Sequence, residues 1–341
     1  MPEAPPRRNL QRVLAACTGG DAAVIVRSVQ AMGLEVIAAF DEASADAPWV
    51  AQADWDAPLI ARDADDDPWG DPQRLVSAAL DAGADALHPG AGQSAASADL
   101  ARLTTASGLA WIGVQADLLE RWTSVVAEAA AVTGMGVGPG DRKVGGESVR
   151  VGVLGDGGQA ILLGQQRIVT AGLAEVGPCV DPLARAAIAL GAALRLVGLA
   201  SFDLWLAPSG RVSLLGAQPA LPGWFMFDHA LGADLVAAQV QIATGEPLRW
   251  ETERPEVRPT VAAVVRTLVD CDLEAAPDPG DGATLLIGPG HAARSTPVLL
   301  LARSAPTLLA ARVQLAEALR GCPLPHTNAA ALRSRLFGES S

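Results

Sequence analysis

Hydrophobic and polar positions alternate between two textures along the first third of the chain. Short apolar runs over Arg12–Cys17, Glu35–Phe40, Leu59–Ala61, Ala86–His88 and Ala110–Gly113 predict buried strands. Helical patterns lie between them, over 22–32, 72–82, 96–107 and 118–133, and Gly33 and Gly83 stand where helices stop. Strand and helix in alternation build a parallel sheet, because parallel neighbours need crossover connections. Residues 12–120 therefore read as a doubly wound α/β domain behind a frayed tail at 1–11.

The texture then changes. Residues 134–147 hold six glycines and one proline, the composition of turns, so 121–148 reads as a linker. Val149–Leu154, Ala160–Leu163 and Gln166–Val169 predict antiparallel strands, the first two joined by the Gly155–Gly158 turn. A long helix is expected over Pro182–Val197, a second hairpin over Ala200–Ala207 and Arg211–Leu215, and a helix over Ala233–Thr244. The last stretch, 251–341, predicts strands at Val261–Val269, Ala283–Ile287 and Pro297–Ala302, then helices at Ala305–Leu319 and Ala329–Phe337.

Charge and cysteine content narrow the function classes. A formal net charge of −13 repels nucleic acid phosphates and anionic membranes, and no Lys/Arg cluster compensates. The four cysteines, Cys17, Cys179, Cys271 and Cys322, form no C-x-x-C pair and have no histidine at metal-ligand spacing, so reduced structural thiols are expected. No apolar run approaches the ~20 residues of a membrane span, and no signal-peptide pattern opens the chain, so a cytoplasmic location is expected.

Several motifs occur in the order found in one enzyme family. Ala31–Ser44 resembles its "ELGIETVAVYSEAD" run, and Gly83–Gly92 its "GADAIHPGYGFLSEN" run. Trp111-Ile112-Gly113 resembles "FIGP", and Val153–Gly157 resembles "VQVLGDG". Gly232–Val236 with Ala243–Leu248 resembles "GVDLV…AAGEPL", and Thr327-Asn328 resembles the start of "KTNIPFL". The chain thus resembles the biotin carboxylase branch of the ATP-grasp enzymes over almost its whole length. That resemblance implies an N-terminal doubly wound parallel-sheet domain that precedes the ATP-grasp part (12–120), a lid-less α+β ATP-grasp core (149–250) and a C-terminal β/α region (251–341).

The departures from the family pattern carry the functional expectation. The chain runs from Thr133–Gly140, a match to "GVPVVPG", to a strand at Val149, so the short linker stands in place of a whole nucleotide lid. Ser124 stands where the family has its nucleotide lysine. The family holds its metals with two glutamates and an asparagine. By the resemblance these fall on Asp203, Leu215 and Ala217, while the bicarbonate arginine and general base fall on Pro219 and Gly223. Glu175 aligns with a family glutamate, Arg266 with an arginine that faces the biotin site, and His88 sits at a strand end before Pro89-Gly90. His88, Glu175, Asp203 and Arg266 are thus the cleft remnants, with Asp203 the only remnant of a metal site.

From this the resemblance implies a protein that is not an enzyme and needs no cofactor. It would act as a structural or regulatory subunit of a biotin-dependent acyl-CoA carboxylase, pairing with an active biotin carboxylase or another carboxylase subunit as a homo- or heterodimer. Trp224-Phe225-Met226 would then be either the anchor on such a partner or the core of a collapsed pocket. The alternative is a nucleotide- or acyl-ligand-binding ATP-grasp protein with altered ligase activity, the one reading that would use ATP and magnesium, through Asp203, Arg266 and His88.

Overall fold

The computed structural model describes residues 9–63, 65–138, 145–246, 250, 256–273, 283–286, 290–292, 297–322, 324 and 326–337. In the N-terminal part, β1 (Arg12–Ala15), β2 (Glu35–Phe40), β3 (Trp55–Pro58), β4 (Ala86–His88) and β5 (Ala110–Trp111) form a parallel sheet in the order β3-β2-β1-β4-β5. Val13, Leu14 and Ala15 at its centre are fully buried, as a strand covered on both faces requires. The covering helices are α1 (Gly19–Ala31), α2 (Pro48–Gln52), α3 (Pro72–Asp81) and α4 (Ala98–Ala106).

Two details differ from the sequence expectation, each for a local reason. The third strand is Trp55–Pro58 rather than Leu59–Ala61, because the Asp54 carboxylate accepts from Val36 N at 2.9 Å and fixes the pairing early, at Ile37 opposite Trp55. The helix expected over 118–133 breaks at Arg121, whose backbone leaves helical geometry, giving α5 (Ala116–Glu120) and α6 (Trp122–Val132).

The remainder is built on a mixed sheet of nine strands. Its members are β6 (Gly136–Val137), β7 (Glu147–Asp156), β8 (Ala160–Thr170), β9 (Leu173–Gly177), β10 (Val197–Leu206), β11 (Val212–Gln218), β12 (Thr260–Arg266), β14 (Ala283–Leu285) and β16 (Pro297–Ser304). Their order is β14-β16-β12-β9-β8-β7-β10-β11-β6, and β13 (Cys271–Leu273) pairs apart from it with β15 (Gly290–Ala292). One face packs on α6 and α7 (Asp181–Ala193) through Val149, Val151, Val153, Phe202 and Leu204. The other meets α8 (Trp224–Leu231), α9 (Leu235–Ala243) and the N-terminal part, while α10 (Leu308–Arg320) and α11 (Ala329–Arg335) pack on the β12–β16 end. A single apolar cluster runs from Val13, Ile25 and Ile112 through Leu154 and Leu199 to Trp224 and Phe227, so the parallel and mixed sheets share one core.

Candidate functional site

Register decides which side chains meet in the cleft. Residues directly opposite across antiparallel strands share a sheet face. Asp203 on β10 faces Arg150 on β7 and Gly216 on β11, while Ser201 faces Gln218, and Arg150 faces Gln166 on β8. A bulge between Asp203 and Leu204 leaves Leu215 as the extra residue, and Ala217 pairs with Phe202 on the opposite, α7-covered face. The positions beside Asp203 are Gly216 and Gln218, because one bulge shifts the outer strand by one residue.

Asp203 does not stand free. The Arg150 guanidinium donates from Nε to Oδ1 at 2.8 Å and from an Nη to Oδ2 at 3.1 Å, a two-pronged pair that uses both carboxylate oxygens. Glu175 on β9 is also committed, accepting from Arg312 of α10, with Nε at 2.8 Å from Oε1. Buried carboxylates are expected in charge-assisted pairs, and Glu175 is buried.

His88 lies fully buried at the end of β4. Its Nδ1 accepts from Gly90 N at 3.1 Å, which fastens the Pro89-Gly90 turn. Its Nε2 lies 3.4 Å from the Nε2 of Gln239 on α9, whose amide also donates to Leu235 O at 3.3 Å. Trp224 meets the same ring edge-on, centroids 5.1 Å apart. Burial pushes the His88 pKa down to about 3, so the ring is neutral at physiological pH.

Arg266 ends β12, and its backbone N–H donates to Asn328 Oδ1 at 2.9 Å while its side chain is exposed. In the sheet order β9, β8 and β7 lie between β12 and β10, which separates Arg266 from Asp203 by roughly 19 Å of strand spacing. The structure therefore does not bring His88, Glu175, Asp203 and Arg266 together. Each is held by a different partner within the chain.

Trp224, Phe225 and Met226 are not an exposed anchor. They open α8, and Trp224 and Met226 are buried with Phe225 packed against the same cluster. Leu221 and Phe227 close over Gly152, where a β-carbon would lie 3.0 Å from Leu221. The apolar replacements have packed shut over this part of the sheet. Ser124 is exposed and its hydroxyl donates to Arg121 O at 3.0 Å.

With that geometry in place, known proteins show what the chain is similar to. The family model described as biotin carboxylase, N-terminal domain, matches residues 9–119. Over that third of the chain the sequence is similar to a biotin carboxylase N-terminal domain. Biotin carboxylase 1 of Bacillus subtilis (strain 168) is 31% identical over 137 residues, 40% of this chain and 30% of that protein. The alpha subunit of mitochondrial methylcrotonoyl-CoA carboxylase from Glycine max is 34% identical over 113 residues, 33% of this chain and 15% of that protein. The chain thus spans only 30% of the first of these relatives and 15% of the second.

Solved structures extend the biotin carboxylase fold to the whole chain. The biotin carboxylase domain of a single-chain bacterial carboxylase superposes with a TM-score of 0.80 at 21% identity, covering 96% of this chain and 93% of that one. The biotin carboxylase domain of Hydrogenobacter thermophilus 2-oxoglutarate carboxylase, solved with MgADP, ADP and bicarbonate, gives 0.83 at 17% identity, covering 97% and 95%. At such identities the likeness establishes the fold.

These relatives overturn the expectation that the chain is not an enzyme. They are named as biotin carboxylases, which are enzymes, and catalytic inactivity does not follow from side chains replaced in the sequence. The magnesium nucleotide seen with the Hydrogenobacter domain is a separate matter of donor chemistry. Beside Asp203 stand Gly216, Gln218, Ser201 and a guanidinium, and no three of His, Cys, Asp and Glu meet as a metal site among the described residues. That donor set does not fit magnesium, which takes carboxylate and phosphate oxygens. No helix among the described residues is long and apolar enough to cross a membrane.

Proposed function

We propose that this chain works as a biotin carboxylase-like component of a biotin-dependent acyl-CoA carboxylase assembly. The observation that carries this reading is the whole-chain fold, which covers 93% and 95% of two separate biotin carboxylase domains. Among the relatives such a domain is one part of a larger machine. One is named a biotin-dependent acyl-coenzyme A carboxylase alpha3 subunit, from Mycobacterium leprae (strain TN), and another structure is a complete multifunctional pyruvate carboxylase from Rhizobium etli, of which this chain covers 35%. Composition agrees with a protein partner, since a net charge of −13 disfavours nucleic acid and anionic lipid.

Reconstitution tests the reading. The purified chain is mixed with the acyl-CoA carboxylase subunits of its own organism, then followed by size-exclusion chromatography with light scattering and by ATP- and bicarbonate-dependent carboxylation of acyl-CoA. Co-elution at a fixed stoichiometry with a changed carboxylation rate is the expected result. Elution as a separate species with the rate untouched would sink the proposal.

A further inference from the structure

The sheet face carries a carboxylate with a cation already attached. Asp203 has both oxygens engaged by Arg150, at 2.8 and 3.1 Å, and the two residues are fixed in register on adjacent strands. Both side chains are largely buried, at 21% and 31% exposure, so solvent screens the pair less than it screens a surface ion pair. The other residues opposite or next to the pair on this face, Ser148, Gln166, Ser201, Gly216 and Gln218, bring no second negative charge.

We propose that Arg150 takes the place of a divalent cation here: it holds Asp203 from within the chain, and no divalent metal binds at this point of the cleft. A hard divalent ion needs several oxygen ligands, with carboxylates foremost. Among the described residues, the one carboxylate on this stretch of the face is neutralised by a fork that matches both its oxygens, and the same guanidinium repels an approaching cation. The inference is independent of the assembly reading, because one is read by metal binding and the other by co-elution.

The geometry also says how to reverse the arrangement. A β-carbon at Gly216 would lie 3.7 Å from Asp203 Oδ2 and, beyond its two chain neighbours, would meet no other atom within 4 Å. Gly216 is absent from the glycines with positive φ, so a side chain is conformationally allowed. Glutamate at 216 with Arg150 removed therefore puts two free carboxylates side by side.

Mn²⁺ binding by the full chain, read by electron paramagnetic resonance of the free ion and by calorimetry, tests this. The wild-type chain is expected to leave the free Mn²⁺ signal unchanged up to about 1 mM. The double variant Arg150→Gln/Gly216→Glu, with Arg150→Gln/Gly216→Asp beside it, is expected to bind Mn²⁺ at least about tenfold more tightly. Circular dichroism and a thermal melt establish that each variant is folded. Wild-type binding that Asp203→Asn abolishes would overturn the inference, and so would folded double variants that bind no better than wild type. Should neither double variant fold, the wild-type titration against Asp203→Asn decides alone.

Discussion

His88 is buried without a charged partner, and that gives the molecule a titration signature. Its pKa falls from the ordinary 6.5 to about 3 because burial disfavours the imidazolium. The unfolded chain takes up a proton below pH 6.5 that the folded chain refuses. The folded state therefore has its full advantage above pH 6.5 and loses it as pH drops from 6.5 toward 3, at a slope approaching ~1.4 kcal/mol per pH unit from this residue. Asp228 runs the other way. Burial raises its carboxyl to about 8, so its contribution worsens as pH rises through the range from 4 to 8. The difference between wild type and His88→Gln isolates the histidine. Urea unfolding at pH 4, 5, 6 and 7 should show the variant losing less stability on acidification, by up to one proton's slope. Parallel curves would mean that His88 titrates normally.

At this same scale part of the site was legible in the sequence. Asp203 stands out as the acid that persists in its motif, and His88 ends its strand before Pro89-Gly90, where the Gly90 N–H meets it. Arg150 was not legible, since its meaning comes from a cross-strand partner 53 residues away. The neighbours of Asp203 were not legible for a related reason: a bulge has no signature in the Ser213-Leu214-Leu215-Gly216 run, yet it turns every later side chain to the other face.

Elements were readable where local chemistry sets their ends. Asp71, Ser97, Asp234 and Thr307 each accept from a backbone N–H in the first turn of their helices, and these caps place the starts of α3, α4, α9 and α10. Among the elements that escaped are α8 and β9. α8 begins Trp-Phe-Met-Phe with almost no polar face, and a helix buried nearly all round lacks the periodicity that marks one. β9 is short and exists because β8 and β12 supply partners on both sides. The β7–β8 hairpin, by contrast, was announced by Gly155-Asp156-Gly157-Gly158, and here a glycine is required by space rather than by turn geometry. A β-carbon at Gly155 would lie 2.1 Å from Leu196 O, a backbone atom that cannot rotate away. Gly155→Ala should therefore destabilise the protein by about 3 kcal/mol, seen as a lowered urea midpoint with an unchanged m-value. A midpoint within error of wild type would mean that β7 slides freely against the turn before β10.

The parallel sheet and the mixed sheet behave, on the packing, as one unit rather than as two domains joined by a linker. Residues of α1 and β1, such as Val13, Val24 and Ile25, belong to the same apolar cluster as Leu154 and Leu199 of the mixed sheet and Leu221, Trp224 and Phe227 around α8. Trp224 joins the two sheets: it is fully buried, it touches His88 of the N-terminal sheet edge-on, and it starts a helix that lies on the mixed sheet. The C-terminal part is tied in as well, for a β-carbon at Gly20 in α1 would sit 2.5 Å from Leu300 of β16. Shared burial of this extent couples the sheets, since neither can open without exposing the apolar surface of the other. Calorimetry should therefore show a single cooperative transition, and truncating Trp224 to alanine should move it down as a whole, by about 3–5 kcal/mol of stability. The control is Leu183→Ala, in the α7 cluster on the far face of the mixed sheet, which should also move the same single transition. Two resolved transitions in the wild type, or a Trp224→Ala effect confined to one of them, would show that the N-terminal sheet folds apart and that the shared cluster is a contact between independent domains.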